Sequence, residues 1–269
     1  MAKKTGSSKN KLQLNLINPK GLVDFISKFK SIDSNLLLSI TADKIDVRAY
    51  TPNAVAVKMG ELNFDDIFTL PDGETVPENL KVGIYNVQKF IKIFNYIDEE
   101  NVLLNITYST EKNGDNYGIK LDIKTATLQK VIPGAKQTMF KSLTDEQVER
   151  AFDVEEAYYC LNFEKHLLDK IKNLLSVEAS KYFTLVYKKG TIFFIGKEFK
   201  LKYTDEVEIL KEEDFELPLE KDVFKYADGD DYNLYGKETG ALLFSKDAEI
   251  KIGLAAIEDP TSLDDVNEE

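Results

Sequence analysis

Val82-Gly83-Ile84-Tyr85-Asn86-Val87-Gln88-Lys89-Phe90-Ile91-Lys92-Ile93-Phe94 reads as the end of a strand running into an amphipathic helix. Asn86 is a suitable N-cap, with a short side chain that can accept from the first free backbone N–H groups. Val87, Phe90, Ile91, Phe94 and Ile97 recur at three- and four-residue spacing and form one buried stripe, leaving Lys89, Lys92 and Tyr96 on the opposite face. The carboxylates Asp98, Glu99 and Glu100 follow the helix, and Val102-Leu103-Leu104-Asn105-Ile106 then reads as the next strand.

Working outward, the same order of strand, amphipathic helix and three strands can be read four times. The first helix, after Asn18-Pro19, turns Leu22, Phe25, Ile26 and Phe29 inward and Lys20, Asp24 and Lys28 outward. The third, over 163–175, buries Leu167, Leu168, Ile171, Leu174 and Leu175, exposes Lys165, Asp169 and Lys172, and places His166 near its apolar seam. The fourth starts after Pro218, buries Val223, Phe224 and Ala227, presents Lys221 and Lys225, and stops at Asp228-Gly229. Between helices the period falls to two, the strand signature. Leu12, Leu14 and Leu16 alternate before the first helix, and Tyr158, Cys160 and Asn162 hold the matching place before the third. The intervening strands are expected at 36–41, 44–50 and 55–61; 101–108, 117–123 and 125–132; 181–187, 191–196 and 199–204; and 231–235, 241–245 and 249–256. Lys112-Asn113-Gly114-Asp115 is a hairpin signal.

This organisation predicts an α+β chain with two similar domains, 11–133 and 157–259, joined by a connector at 134–156. Within the connector, Leu143-Thr144-Asp145-Glu146-Gln147 looks like a capped helical turn. The length of 269 residues and a hydrophobic fraction of 43% suit two cores. The ends, 1–10 and 260–269, are expected to be tails. One cysteine, Cys160, rules out an intramolecular disulfide framework and fits a reducing cytoplasm. No segment has the length and apolarity of a signal core or membrane span, so the expectation is a soluble cytoplasmic protein with no membrane partner.

A net charge of -12 argues at first against a phosphate-bearing partner. Distribution outweighs the sum, however, because screening acts over a Debye length of about 8 Å and distant carboxylates are hidden from a phosphate beside the helices. No catalytic constellation emerges. The single histidine precludes a triad or metal site that needs a second one, and the acidic loops 65–66, 212–214 and 228–231 read as solvated surface. Gly236-Lys237-Glu238-Thr239-Gly240 lacks the spacing and following helix of a phosphate loop and reads as a hairpin turn. Cys160 reads as a buried thiol. No enzyme activity, metal or cofactor is implied.

The 82–94 segment with its acidic turn and the strand 102–106 resembles the strand-helix-strand element of the T-even phage DNA polymerase sliding clamp. The C-terminal run Tyr232-Asn233-Leu234-Tyr235-Gly236-Lys237, Ala241-Leu242-Leu243-Phe244 and Leu254-Ala255-Ala256-Ile257-Glu258-Asp259 resembles the end of clamps in that family and of the eukaryotic proliferating-cell clamp. The resemblance implies a phage-encoded, non-enzymatic DNA clamp fold of two domains, each of two βαβββ units, with helices on the inner face and antiparallel sheets outside. It implies closure as a homotrimer around double-stranded DNA, sequence-nonspecific contacts, and DNA polymerase and a clamp loader as partners.

Carried over by position, the DNA-facing candidates are Lys20, Lys28, Lys89, Lys92, Lys165, Lys172, Lys221 and Lys225. Each lysine alone is as well explained by a solvated helix face. The resemblance maps the subunit interface to 125–132 against 199–204, with Leu128, Lys130, Phe199, Leu201 and Tyr203 as contacts, although the apolar members fit an intradomain core equally well. A partner-peptide groove would be lined by Tyr50, Val57, Ala241, Ala255 and Ile257. The charged segment 144–150 departs from the family pattern. A viral structural or scaffold protein and a monomeric processivity factor are the alternative readings.

Overall fold

The computed structural model describes residues 9–97, 102–111, 114–135 and 137–257. By contact the chain divides into unit 1, Met1–Ala49 with Gly60–Ser142, and unit 2, Tyr50–Met59 with Leu143–Glu269. The chain order begins β1 (Lys9–Leu16), α1 (Pro19–Ser27), β2 (Leu36–Ile40), β3 (Lys44–Tyr50), β4 (Ala56–Asn63), β5 (Phe68–Thr69) and β6 (Leu80–Ile84). It continues with α2 (Val87–Phe94), β7 (Val102–Thr110), β8 (Asn116–Lys124), β9 (Gln129–Pro133), α3 (Asp145–Ala151), β10 (Tyr159–Phe163), α4 (Lys165–Val177) and β11 (Tyr182–Lys188). The last strands are β12 (Thr191–Ile195), β13 (Lys200–Lys202), β14 (Val207–Ile209), β15 (Phe215–Glu220), β16 (Tyr232–Lys237), β17 (Gly240–Ser245) and β18 (Ile250–Ala255).

In unit 1 the strand order is β3-β2-β6-β8-β7-β1-β5, with β9 added to β8. The β6–β8 pairing is parallel, whereas β1 runs antiparallel to both β7 and β5. The expected alternation of β1 is seen directly: Leu12, Leu14 and Leu16 are buried and sit opposite Ile106, Leu104 and Val102 of β7. Gly83, in the middle of β6, lies where a Cβ would come within 2.4 Å of the Phe140 ring, so only glycine allows that ring to cover the strand. After β6, Asn86 adopts a left-handed backbone (φ 64) and its side chain accepts from Lys89 N at 2.9 Å. The helix then buries Val87, Phe90 and Phe94, with the two phenylalanine rings 4.5 Å apart between centroids. At roughly 1.5–3 kcal/mol per buried side chain, this stripe stabilises a helix too short to stand alone. α1 packs against α2.

Unit 2 holds β14-β10-β16-β17-β18 and a four-stranded sheet, β13-β12-β11-β15. The chain crosses from unit 2 to unit 1 within β4, whose residues 56–59 belong to unit 2. The Thr144/Gln147 capping box opens α3, with reciprocal bonds of 2.9 and 3.3 Å. Residues 143–151 lie in unit 2, where Phe152 closes a small core with Met59 and Leu242, and Val57, Val148 and Ala151 pack against it. The Lys237–Gly240 stretch is the tight turn between β16 and β17, as its sequence suggests.

Several sequence expectations are corrected. The fourth helix is reduced to a single 3-10 turn, Val223–Tyr226, because Phe215, Leu217 and Leu219 are buried at period two and commit the preceding residues to β15. Pro218 therefore lies in a strand, tolerated because β15 is the edge of its sheet; its carbonyl accepts from Ile257 N at 3.0 Å. In β10 the buried set is Tyr159, Leu161 and Phe163, one residue out of phase with the expected Tyr158, Cys160 and Asn162. Cys160 is half-buried beside Tyr235, and burial pushes its thiol above the usual range. His166 is exposed, with Nδ1 3.1 Å from Glu164, and is not at an apolar seam. β1 begins at Lys9, inside the stretch assigned to the tail. Residues 1–8 and 258–269, the acidic turn Asp98–Glu100, and Lys112 and Asn113 of the hairpin signal lie outside the described residues.

Candidate nucleic-acid and partner interfaces

The eight lysines fall into two sets of four, one on each unit. In unit 1, Lys20 on α1 and Lys89 and Lys92 on α2 are exposed, and Lys28 at the end of α1 is half-buried. Lys89 and Lys92, three residues apart, lie along one line of α2, and Tyr96, just beyond the end of the helix, is 82% exposed. Both helices are capped by their own leading asparagine: Asn18 Oδ1 accepts from Gly21 N at 2.8 Å, and Asn86 acts likewise on α2.

In unit 2, Lys172 and Lys221 are half-buried and hydrogen-bonded to the protein itself, while Lys165 and Lys225 are exposed. Lys172 Nζ donates to Ala227 O at 2.9 Å, and Lys221 Nζ donates to Glu178 O at 2.8 Å. Burial pulls the Lys172 ammonium below its ordinary range, with Asp169 and Asp228 opposing that shift. Lys225 Nζ stands 5.1 Å from the centre of the Tyr226 ring, and the Lys165 side chain lies against Gly229. α4 packs on the 3-10 turn, and its first N–H, from Lys165, is capped at 2.7 Å by Asp231, far away in sequence. At the other end Glu178 accepts from Ser180 N and Glu198 N, both at 3.1 Å. Burial raises its carboxyl pKa, but the backbone N–H bonds from residues 179, 180, 197 and 198 together outweigh this and hold it below the usual range. The loop after the 3-10 turn is fixed from below by Lys58, fully buried, which donates to Tyr226 O and pairs with Asp228.

Of the edge candidates, Lys130 is exposed in β9, which pairs with β8 and with no other strand among the described residues. Leu128 is half-buried just before β9, closing a turn in which Leu128 N donates to Thr125 Oγ1 at 2.9 Å. The strand expected at 125–132 is thereby shortened to Gln129–Pro133. β13 is an edge as well, paired among the described residues only with β12, and is likewise shorter than the expected 199–204. It carries half-buried Leu201, while Phe199 closes the hairpin through Gly196 N to Phe199 O at 2.9 Å. Tyr203 is buried and donates to Asn162 O at 2.8 Å, its phenol pushed up to about 12 by burial. Beside β9, a cleft of about 200 Å³ opens between Tyr85, Lys89, Phe90 and Ile93 of the α2 segment and 130–133. Sequence reasoning did not find this cleft; the exposed Tyr85 was its available signal.

A second cavity, of about 340 Å³ and entirely within unit 2, is lined by Val57 and Ala255 of the expected groove set, but not by Tyr50, Ala241 or Ile257. Ala241 is fully buried, and the backbone N–H of Ile257 donates to Pro218 O of β15. The remaining lining includes Ala54, Val55, buried Leu242 and Leu254, and Gln147, Arg150 and Ala151 of α3. The charged segment that departs from the family pattern is thus one wall of this cavity.

No protein-family model and no curated protein matches the chain. Solved structures do. The Helicobacter pylori β clamp in complex with 5-chloroisatin is 14% identical, with a TM-score of 0.62 over 93% of this chain and 64% of that one. The same clamp bound to a DNA ligase peptide is 14% identical, with a TM-score of 0.59 over 93% and 67%. A chain of the PCNA2–PCNA3 complex from Sulfolobus tokodaii is 10% identical, with a TM-score of 0.60 over 93% of this chain and all of that one. The chain therefore spans about two thirds of the bacterial clamp and the full length of the archaeal chain. At this identity the likeness shows the fold: a mixed α+β DNA clamp architecture with large antiparallel sheets.

Proposed function

We propose that this clamp-fold chain is a DNA polymerase processivity factor that closes as a homotrimeric ring on duplex DNA and tethers a polymerase and other partners. The observation that carries this reading is that, among the described residues, β9 in unit 1 and β13 in unit 2 each pair on one side only. An unpaired edge invites pairing with another chain, and a ring that joins β9 of one copy to β13 of the next leaves neither of them exposed. The cleft beside β9 would receive an apolar side chain of the neighbour. Full coverage of the archaeal chain supports a two-unit chain of the same extent as a clamp subunit. Helix faces bearing lysines would contact phosphates without reading sequence, as sliding requires.

The 340 Å³ cavity of unit 2 would take the apolar anchor of a partner peptide, a reading supported by the DNA ligase peptide bound to the H. pylori clamp. A phage origin, loading by an ATP-driven loader and action in the cytoplasm belong to the same proposal. Light scattering after size exclusion tests it: a mass of three 30.6 kDa chains is expected. Charge-reversing substitution at Lys130 should shift the population toward single chains. A mass of one chain at every concentration would sink the ring and favour a processivity factor that grips DNA without encircling it.

A further inference from the structure

We propose that DNA is gripped by unit 1 alone, through Lys20, Lys89, Lys92 and Tyr96, and that the helical face of unit 2 is a rigid, nearly neutral guide. This rests on the clamp reading and sharpens it. Phosphate binding draws on lysines whose ammonium groups are free to reach the DNA backbone, because displacing the counterions condensed on the phosphates supplies the affinity. Lys20, Lys89 and Lys92 are exposed and have no side-chain partner among the described residues. Lys172 and Lys221 each already hold a backbone carbonyl, so reaching a phosphate would mean leaving that oxygen without its donor.

The neighbouring charges point the same way. Exposed Asp169 and Asp222 share the helical face of unit 2 with its lysines. The described part of the α1 and α2 surface carries Asp24 against four lysines. Tyr96, largely exposed just beyond the end of α2, adds a phenol able to hydrogen-bond a phosphate oxygen.

The test is fluorescence anisotropy with a labelled mixed-sequence duplex, titrated from low to physiological salt. It compares wild type with Lys89→Gln/Lys92→Gln, Tyr96→Ala, Lys165→Gln/Lys225→Gln and Lys172→Gln/Lys221→Gln, with melting curves recorded for each. The unit 1 lysine pair should lose about tenfold in affinity at low salt and flatten the logarithmic salt dependence by about one phosphate or more. Tyr96→Ala should lose about threefold, and both unit 2 pairs should stay within about twofold while Lys172→Gln/Lys221→Gln melts earlier. Equal or greater loss in the exposed Lys165/Lys225 pair, which leaves the carbonyl bonds intact, would overturn the inference and leave the clamp reading standing. An unchanged affinity in the unit 1 variants would overturn it as well. No salt-dependent binding by the wild type would overturn the clamp reading itself.

Discussion

The α1/α2 pair of unit 1 and the α4/3-10 pair of unit 2 look alike in sequence, each with an apolar stripe backed by lysines, yet they are held in different ways. The unit 1 helices are capped by the residue just before them, Asn18 or Asn86. α4 is capped from 66 residues away by Asp231, fastened at its end by Glu178, and braced in its middle by Lys172 on Ala227 O. The first pair is stabilised by local rules and presents Lys20, Lys89 and Lys92 to solvent or a ligand. The second uses its polar side chains as internal fastenings. A lysine opposite an apolar stripe is therefore a statement about a helix face, and whether that lysine is available is settled by which carbonyls come near it.

The sharpest way to break this comparison is the buried ion pair under the unit 2 loop. Asp228→Ala removes the carboxylate paired with the fully buried Lys58 ammonium, and should cost about 3 kcal/mol in urea unfolding. Lys58→Met should cost less, because Asp228 is partly exposed and can hydrate. A loss below about 1 kcal/mol for Asp228→Ala would show that the loop is not braced there.

Next in size is the contrast between equivalent lysines. Lys172→Met should destabilise by about 1.5 kcal/mol through the lost charged hydrogen bond to Ala227 O. Lys92→Met should stay within about 0.5 kcal/mol. Equal effects would erase the distinction.

The caps come third. Asp231→Ala and Asn86→Ala should each cost about 1 kcal/mol, but Asn86→Gly should recover most of its loss, since glycine accepts the left-handed φ and serves as a cap. Asp231→Gly should recover nothing, because residue 231 lies outside the helix it caps. Hydrogen exchange in the first turn of each helix reads this out.

The smallest signal is a slope with pH. Because the folded pKa of Glu178 is depressed, the carboxylate contributes stability that is present above the ordinary value of 4.5 and lost as pH falls through the folded value. Glu178→Gln should flatten the acid limb of the stability curve below that pH and leave neutral-pH behaviour of unit 1 unchanged. An acid limb identical to wild type would remove Glu178 from the fastenings.

Much of the fold was legible because its signals are local. The 82–94 segment announced its strand, cap and helix through spacing alone, and the Thr144/Gln147 box announced α3. The failures were competitions between neighbours. Lys221, Val223 and Phe224 carry a helical pattern, but Phe215, Leu217 and Leu219 pair more favourably as an edge strand and leave room for one 3-10 turn. In β10 Leu161 and Phe163 are more apolar than Cys160 and Asn162, so the sequence already favours the phase of Tyr159, Leu161 and Phe163 that pairing with β16 holds; a one-residue slip exchanges the two faces of a strand. For the candidate cavity, Val57 and Ala255 were found, while Leu242 and the α3 residues were missed because their approach is tertiary.

By itself, the sequence determined the order of strands and amphipathic helices, the local caps and the positions of the lysines, since each follows from residues within a turn or two. The tertiary structure alone decided which lysines remain free, which strands are left as open edges and what lines the cavity of unit 2. Those outcomes depend on which distant carbonyl, carboxylate or strand edge is brought within hydrogen-bond reach, a quantity that no local spacing encodes.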